Sequence, residues 1–488
     1  MQIHKKNRVQ LFIILIWMIL FGMLLQRDYF IESLEIQEEE IVKKGRQESF
    51  QGIYFQNDRI GYVKNRLSPK KDGGYALAQK AYLRLNILEQ DLPVEMDVEA
   101  DLNAQMRLEE FTFTLASPFY KMEARGEVED RTVKFTLSTG KEEIHDEIRL
   151  ERRPFLSTNR RAYLLKRDLQ EGDRFKVPYF DPVTLTGKDT VLEYKGLEKI
   201  LIKGRIYRLH HFEESFSGIR INSWINDEGK VMKEESPAGF VFISEPEFRA
   251  TNIAVKGKEI LSSVSVPVTG TMPDLEGIDS ITYRLDFPED VSFEALDMDR
   301  QDFAGRLLTI TAEQLPPSSA GACRGPAEQL ASTPYVQAKN GRITELGASL
   351  ASQGNTDLEK VKILTGWVFE NLEKRPVLGI PDALTTLEIK KGDCNEHAAL
   401  FAALSRSIGV PTRIVAGVTF HQGAFFYHAW NEVCLDGDWI SLDTTKNQMP
   451  ADISHIKFVE GETREMVKIG ALLGKLKIAI IQNHASDK

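Results

Sequence analysis

Residues 426–445 read FYHAWNEVCLDGDWISLDTT, two runs of strand-like alternation on either side of Asp436-Gly437. Asp-Gly favours a two-residue type I′ turn, because both turn positions need positive φ. Such a turn pairs Leu435 with Asp438 and sets Trp430 opposite Asp443. His428 lies two residues from Trp430, so it shares that face and sits diagonal to Asp443. Diagonal neighbours on one face lie roughly 7–8 Å apart, within reach of an imidazole and a carboxylate. A three-residue loop would turn one of the two side chains to the other face.

A cysteine joins them from residues 390–413, KKGDCNEHAALFAALSRSIGVPTR. Gly392-Asp393 interrupts the chain ahead of an Ala- and Leu-rich run, and Gly409 with Pro411 closes it, which predicts a helix starting near Cys394. Unpaired N–H groups and the positive dipole end at a helix start favour a thiolate. A thiolate, an imidazole and an orienting carboxylate form the arrangement of thiol acyl transfer. Taken singly, a cysteine is more often a small buried hydrophobe and a histidine a core residue. Three converging placements favour the chemistry. Cys394 N–H is the expected oxyanion donor. Glu396 suits the helix dipole without a catalytic role. His397 diverges in direction from Cys394, Trp367 and Trp430 read as core, and His421 reads as an exposed turn residue. Glu432, four residues along the histidine strand, is the acid that would stand in for Asp443.

The runs GDCNEHAALFAALSRSIGVPTRIVAG, HAWNEV and WISLDTT resemble the core of the transglutaminase-like superfamily, a papain-like cysteine fold. The resemblance covers roughly residues 357–461. It implies Cys394 as nucleophile, His428 as general base and acid, and Asp443 as orienting carboxylate. One departure is visible, Thr444, where the family commonly has proline. Animal transglutaminases depend on calcium, but no Asp-rich loop here matches an EF-hand and no Cys/His group has zinc spacing. Neither a cofactor nor a metal is expected.

At 488 residues the chain has room for about three domains. A net charge of −10 argues against nucleic acid as a partner. Residues 9–25 are apolar except Gln10, follow Lys5, Lys6 and Arg8, and would span roughly 26 Å as a helix. No small-residue cleavage site follows, which favours an uncleaved anchor over a signal peptide. The basic residues would stay cytoplasmic. The expected location is therefore the inner membrane, single-pass, with the bulk of the chain extracytoplasmic. Of three cysteines, Cys394 must stay free, and a bridge between Cys323 and Cys434 is not favoured.

The expected organisation is a basic tail (1–8), a transmembrane anchor (9–26), a stalk (27–49) and an antiparallel β domain (50–248). A small β domain (249–314), a Pro/Gly/Ser-rich linker (315–330), the transglutaminase-like domain (331–465) and a tail (466–488) follow. In class this is α+β: a cysteine-bearing helix packed on an antiparallel sheet carrying His428 and Asp443, behind mainly β domains and an N-terminal membrane helix. Such a membrane-anchored bacterial protein would act in the cell envelope on peptide or protein amides, cell-wall peptides among them. With water as acceptor it would be a peptidase or amidase, and with an amine a cross-linking enzyme. Hydrolysis is favoured. The competing reading is a non-enzymatic scaffold or peptide-binding module on the same fold.

Overall fold

The computed structural model describes residues 32–33 and 47–485, except 72, 88–89, 140–141, 157–163, 166–167, 183–184, 217–218, 237–238, 254–264, 290, 318–322 and 324–325. Its first part is a 15-stranded sheet in which almost every strand pairs with its sequence neighbour. One antiparallel meander runs from Gln47–Phe55 to Glu142–Arg149 and a second from Arg174–Asp181 to Phe240–Glu245. The last strand returns to pair with the first, Phe240 opposite Phe55. Short turns make this possible. Gln56 and Asn57, with φ of 47° and 71°, join Gln47–Phe55 to Asp58–Pro69, the positive-φ pair that a two-residue hairpin requires. Alternation does the rest: Val133, Phe135 and Leu137 of Thr132–Thr139 are buried in the sheet's core.

The second sheet is 9-stranded and contains the strand that bears His428. Its centre is Ala424–Leu435, which pairs with Thr412–His421 and, through a hairpin, with Asp438–Leu442. Ile456–Glu460 lies on the far side of Thr412–His421. Val266–Thr269 pairs with Ala424–Leu435, and Lys477–Ala485 links Val266–Thr269 to Ile278–Asp286. Strands from well before and well after the hairpin thus extend one sheet.

Helices Gly341–Ala351, Asp357–Asn371, Ala383–Ile389 and Cys394–Ser407 pack on this sheet. Cys394–Ser407 is buried on nearly every side, with Leu400, Phe401 and Leu404 fully enclosed. A helix enclosed on nearly every side belongs inside a domain, and Ala398, Ala399, Ala402 and Ala403 let its neighbours approach closely. Its start is a capping box between Asp393 and Glu396. It ends in a Schellman motif: Val410 N–H bonds the Ser405 carbonyl at 3.1 Å and Gly409 N–H the Arg406 carbonyl at 3.1 Å, with Gly409 at φ 85°.

The two sheets meet through side chains. Tyr335, Val377 and Ile380, from the helical part, sit in the same apolar core as Tyr120 and Phe111 of the large sheet. Gly379 makes room for the Tyr120 ring, since a Cβ there would lie 2.4 Å from Tyr120 Cγ.

Two expectations are corrected. The chain is mainly β rather than α+β: the large antiparallel sheets dominate, and among the described residues the longer helices are confined to the stretch between 341 and 407. The class had been read from the helix that bears Cys394, which is a small part of the whole. The membrane anchor also loses its support. Residues 9–26 lie outside the described residues, as do 1–8 and most of 27–49. Among the described residues no helix is long and apolar enough to cross a membrane. The single-pass inner-membrane location rested on that span and is withdrawn with it.

Candidate active site

Asp436 and Gly437 both have positive φ, 55° and 98°, and Leu435 pairs with Asp438. Asn431 faces Leu442 in that register, so the carboxylate of Asp443 emerges at the strand end beside His428. His428 Nε2 lies 2.9 Å from Asp443 Oδ2. Asp443 is fully buried, and its other oxygen accepts from Thr445 N–H at 2.8 Å and Thr445 Oγ1 at 2.6 Å. Burial would raise this carboxyl, but His428 and His455 outweigh it and hold Asp443 well below the usual carboxylate range. Thr444, in the place of the family's proline, is buried and leaves this contact intact.

His428 stacks on Trp430, with ring centroids 6.2 Å apart. Its strand lies against Gly417, where an added Cβ would come within 1.8 Å of the Ile456 carbonyl oxygen. Only glycine there lets Ile456–Glu460 close in, and that strand brings His455 to the site. Burial lowers the pKa of His428, Asp443 pushes it up, and the charges of His455 and Lys446 push it down again.

Cys394 is the first residue of its helix, half-buried, and the one free cysteine among the described residues. Asn431 Nδ2, three residues along the strand from His428, donates to the Ala398 carbonyl at 3.0 Å and holds the cysteine helix against the histidine strand. The expected thiolate is not what this environment favours. Burial pushes the Cys394 thiol well up, Asp393, Glu396 and Asp443 add to that, and only the Ala429 backbone opposes them. The first turn that supplies the dipole also supplies carboxylates. At rest the site therefore favours neutral thiol and neutral imidazole.

The remaining residues sort cleanly. His397 is fully buried, with Nδ1 2.6 Å from the Asp393 carbonyl, and Trp367 packs on the helical core. His421 is exposed at its turn. Glu432 is committed elsewhere: Arg413 Nε bonds it at 2.6 Å and Lys457 Nζ at 3.0 Å.

Two features escaped the sequence reading. His455 Nε2 lies 3.1 Å from the same Asp443 Oδ2, and its Nδ1 is 3.0 Å from Asp452 Oδ1. The irregular stretch 443–455 has no periodicity that would announce this. Cys323 and Cys434 form a disulfide, across a separation of 111 residues that leaves no local trace. Glu313, just ahead of the linker that carries Cys323, accepts from Ser441 N–H at 3.0 Å and so ties its segment to the strand that leads to Asp443.

Among the described residues, two groups bring three possible metal-binding atoms within 4.8 Å: His428, Asp443 and His455, and Asp299, Glu432 and Glu460. In the second, Lys457 bonds all three carboxylates and occupies the cation position. In the first, the spacings of 2.9 and 3.1 Å are hydrogen-bond lengths.

Residues 344–444 match the transglutaminase-like superfamily. Kyphoscoliosis peptidase of Homo sapiens is 31% identical over 140 residues, covering 25% of this chain and 21% of that protein. Its counterpart in Mus musculus is 30% identical over 145 residues, covering 26% and 21%. The chain thus spans about a fifth of the length of these curated relatives. A solved structure from Cytophaga hutchinsonii, named as a candidate cysteine protease, overlaps 43% of this chain and 87% of its own, at 18% identity and a TM-score of 0.28. At that score the likeness is too slight to carry weight.

Proposed function

We propose that the chain, which carries a transglutaminase-like core, is a cysteine peptidase or acyltransferase acting on amide bonds of peptides or proteins through Cys394, His428 and Asp443. The observation that carries this reading is the 2.9 Å contact of His428 Nε2 with Asp443 Oδ2, on a strand that Asn431 ties to the helix opened by Cys394. With Nε2–H given to Asp443, Nδ1 holds the lone pair and is the basic nitrogen.

Attack of Cys394 Sγ on the carbonyl carbon then passes the thiol proton to Nδ1. Developing charge on the carbonyl oxygen meets the helix start. The Asp393 carboxylate already takes Asn395 N–H at 3.0 Å and the Glu396 N–H of the capping box. Cys394 N–H, which has no intrahelical acceptor, is the donor left for the oxyanion. Collapse breaks the C–N bond, and His428 gives its proton to the departing amine. A thioester remains for water or an amine to open. The peptidase names of the relatives favour water.

The raised thiol of Cys394 favours a second reading, a binding module whose cysteine is inert. Mass spectrometry of a defined peptide mixture incubated with the protein and methylamine separates the outcomes. New peptide termini mean hydrolysis, and methylamine incorporated with loss of ammonia means transfer. Neither product at stoichiometric enzyme overturns the catalytic reading.

A further inference from the structure

We propose that His455 is a positioning residue: it holds the same Asp443 oxygen that His428 uses and keeps a positive charge next to that pair. This rests on the triad reading above.

His455 is fully buried, and acceptors surround its ring. Nε2 faces Asp443 Oδ2 at 3.1 Å, while Nδ1 faces Asp452 Oδ1 at 3.0 Å and the Asp452 carbonyl at 3.1 Å. An acceptor on each side is satisfied only when both ring nitrogens carry protons. Asp452 is itself fixed, its Oδ1 taking Ser454 N–H at 3.0 Å and its Oδ2 taking Gln448 Nε2 at 3.1 Å. The edge of Trp430 closes the remaining side, ring centroids 5.2 Å apart. The ring is built in from all directions.

Its consequence falls on His428, whose ring centroid is 5.8 Å away. When His428 takes the thiol proton, two imidazolium rings share one carboxylate oxygen. The charged groups facing His428 are Asp443, His455 and Lys446, with the Cys394 thiol beyond. Those facing His455 are Asp443 and Asp452, and Arg300 Nη2 donates to its backbone carbonyl at 3.4 Å. A His428 that holds its proton less firmly is a stronger acid toward the leaving amine. It is also a weaker stabiliser of a resting thiolate. His455 thus trades a reactive resting thiol for better expulsion of the amine.

The trade gives the test its sign. Iodoacetamide alkylation of Cys394 in the full chain is followed from about pH 5 to about pH 9. In His455→Gln, loss of the neighbouring charge lets His428 keep its proton and stabilise the thiolate. Labelling near neutral pH is then about tenfold faster or more, with its midpoint moved about one to two units toward acid. Asp452→Asn shifts the profile the same way by less, and carries the test if His455→Gln does not fold. A merely structural histidine would, on removal, loosen the site and slow labelling without moving the midpoint. That result, or an unchanged profile in both variants, overturns the proposal. His428→Ala separates the two levels. If it slows labelling while the His455 variant is silent, only the role of His455 falls, and if it has no effect the triad reading falls first.

Discussion

The large sheet and the half that holds the transglutaminase-like core are both mainly β, yet they are assembled by opposite rules. In the sheet, strand follows strand and each pairs with its neighbour, so two-residue turns and alternation suffice. The site collects a helix start at 394, a strand at 428, a strand end at 443 and a loop at 455, and then ties a linker to it at 323. Local pairing tolerates local error. A site gathered from distant segments concentrates its dependence on a few residues.

The largest expected effect breaks the contrast at its chemical end. Cys394→Ala abolishes turnover, by about ten-thousand-fold or more, with the circular dichroism spectrum unchanged. Activity surviving in that variant would move the chemistry elsewhere. Asp443→Asn comes next, with a loss of about a thousand- to ten-thousand-fold in kcat, because the imidazole loses its charged partner. Titrating the same variant sharpens the comparison. The folded pKa of Asp443 is depressed, so its contribution to stability is present above the unfolded value of about 3.9 and is lost as pH falls through the folded value. The variant should therefore lose stability against wild type at neutral pH and approach it in acid, as read by urea midpoints across pH.

Removing the disulfide with Cys323→Ser and Cys434→Ala should cost about 2–4 kcal/mol in urea unfolding, because a long loop is released in the unfolded chain. The fold should survive. Asp382 offers a change of opposite sign. It is buried at the start of Ala383–Ile389, accepts Thr385 N–H at 2.9 Å, and burial raises its carboxyl to about 6. A raised acid pKa favours folding below the unfolded value and opposes it increasingly as pH climbs to the folded one. Asp382→Asn keeps the cap and removes the charge. It should stabilise by about 2–3 kcal/mol above pH 6, with the gain gone near pH 4. The smallest effect belongs to the meander. Gly204, at φ 80° in the turn between Thr186–Ile202 and Arg205–Phe216, should cost only about 1 kcal/mol when replaced by alanine. A global unfolding of that variant would show that the large sheet is less local than its pairing suggests.

The same division decides what could be read from the chain in advance. Asp436-Gly437 is a two-residue signal, and everything that follows from it by register, including the meeting of His428 and Asp443, was legible. The interruption at Gly392-Asp393 ahead of the cysteine helix and the stop at Gly409 are equally local. His455, Asp452 and the Cys323–Cys434 bridge were not, because their partners are set by how a loop and a linker cross the sheet. The charge state of Cys394 was misjudged for a related reason. Dipole and sequence position are local, whereas burial and the carboxylate of Asp443 arrive only with the tertiary fold. The fold class erred by weighting one helix over strands that alternate quietly for two hundred residues.

Tyr335, Val377 and Ile380 complete the apolar interior of a sheet that belongs to another part of the chain. The transglutaminase-like core is thus a borrowed plug as much as a module. Cut out at its sequence boundaries, it would leave a hole behind and carry a greasy scar with it. Heating should therefore melt both halves in one cooperative step. Any recombination that moves this core onto a new partner has to supply a replacement for the Tyr120 ring that fits over Gly379.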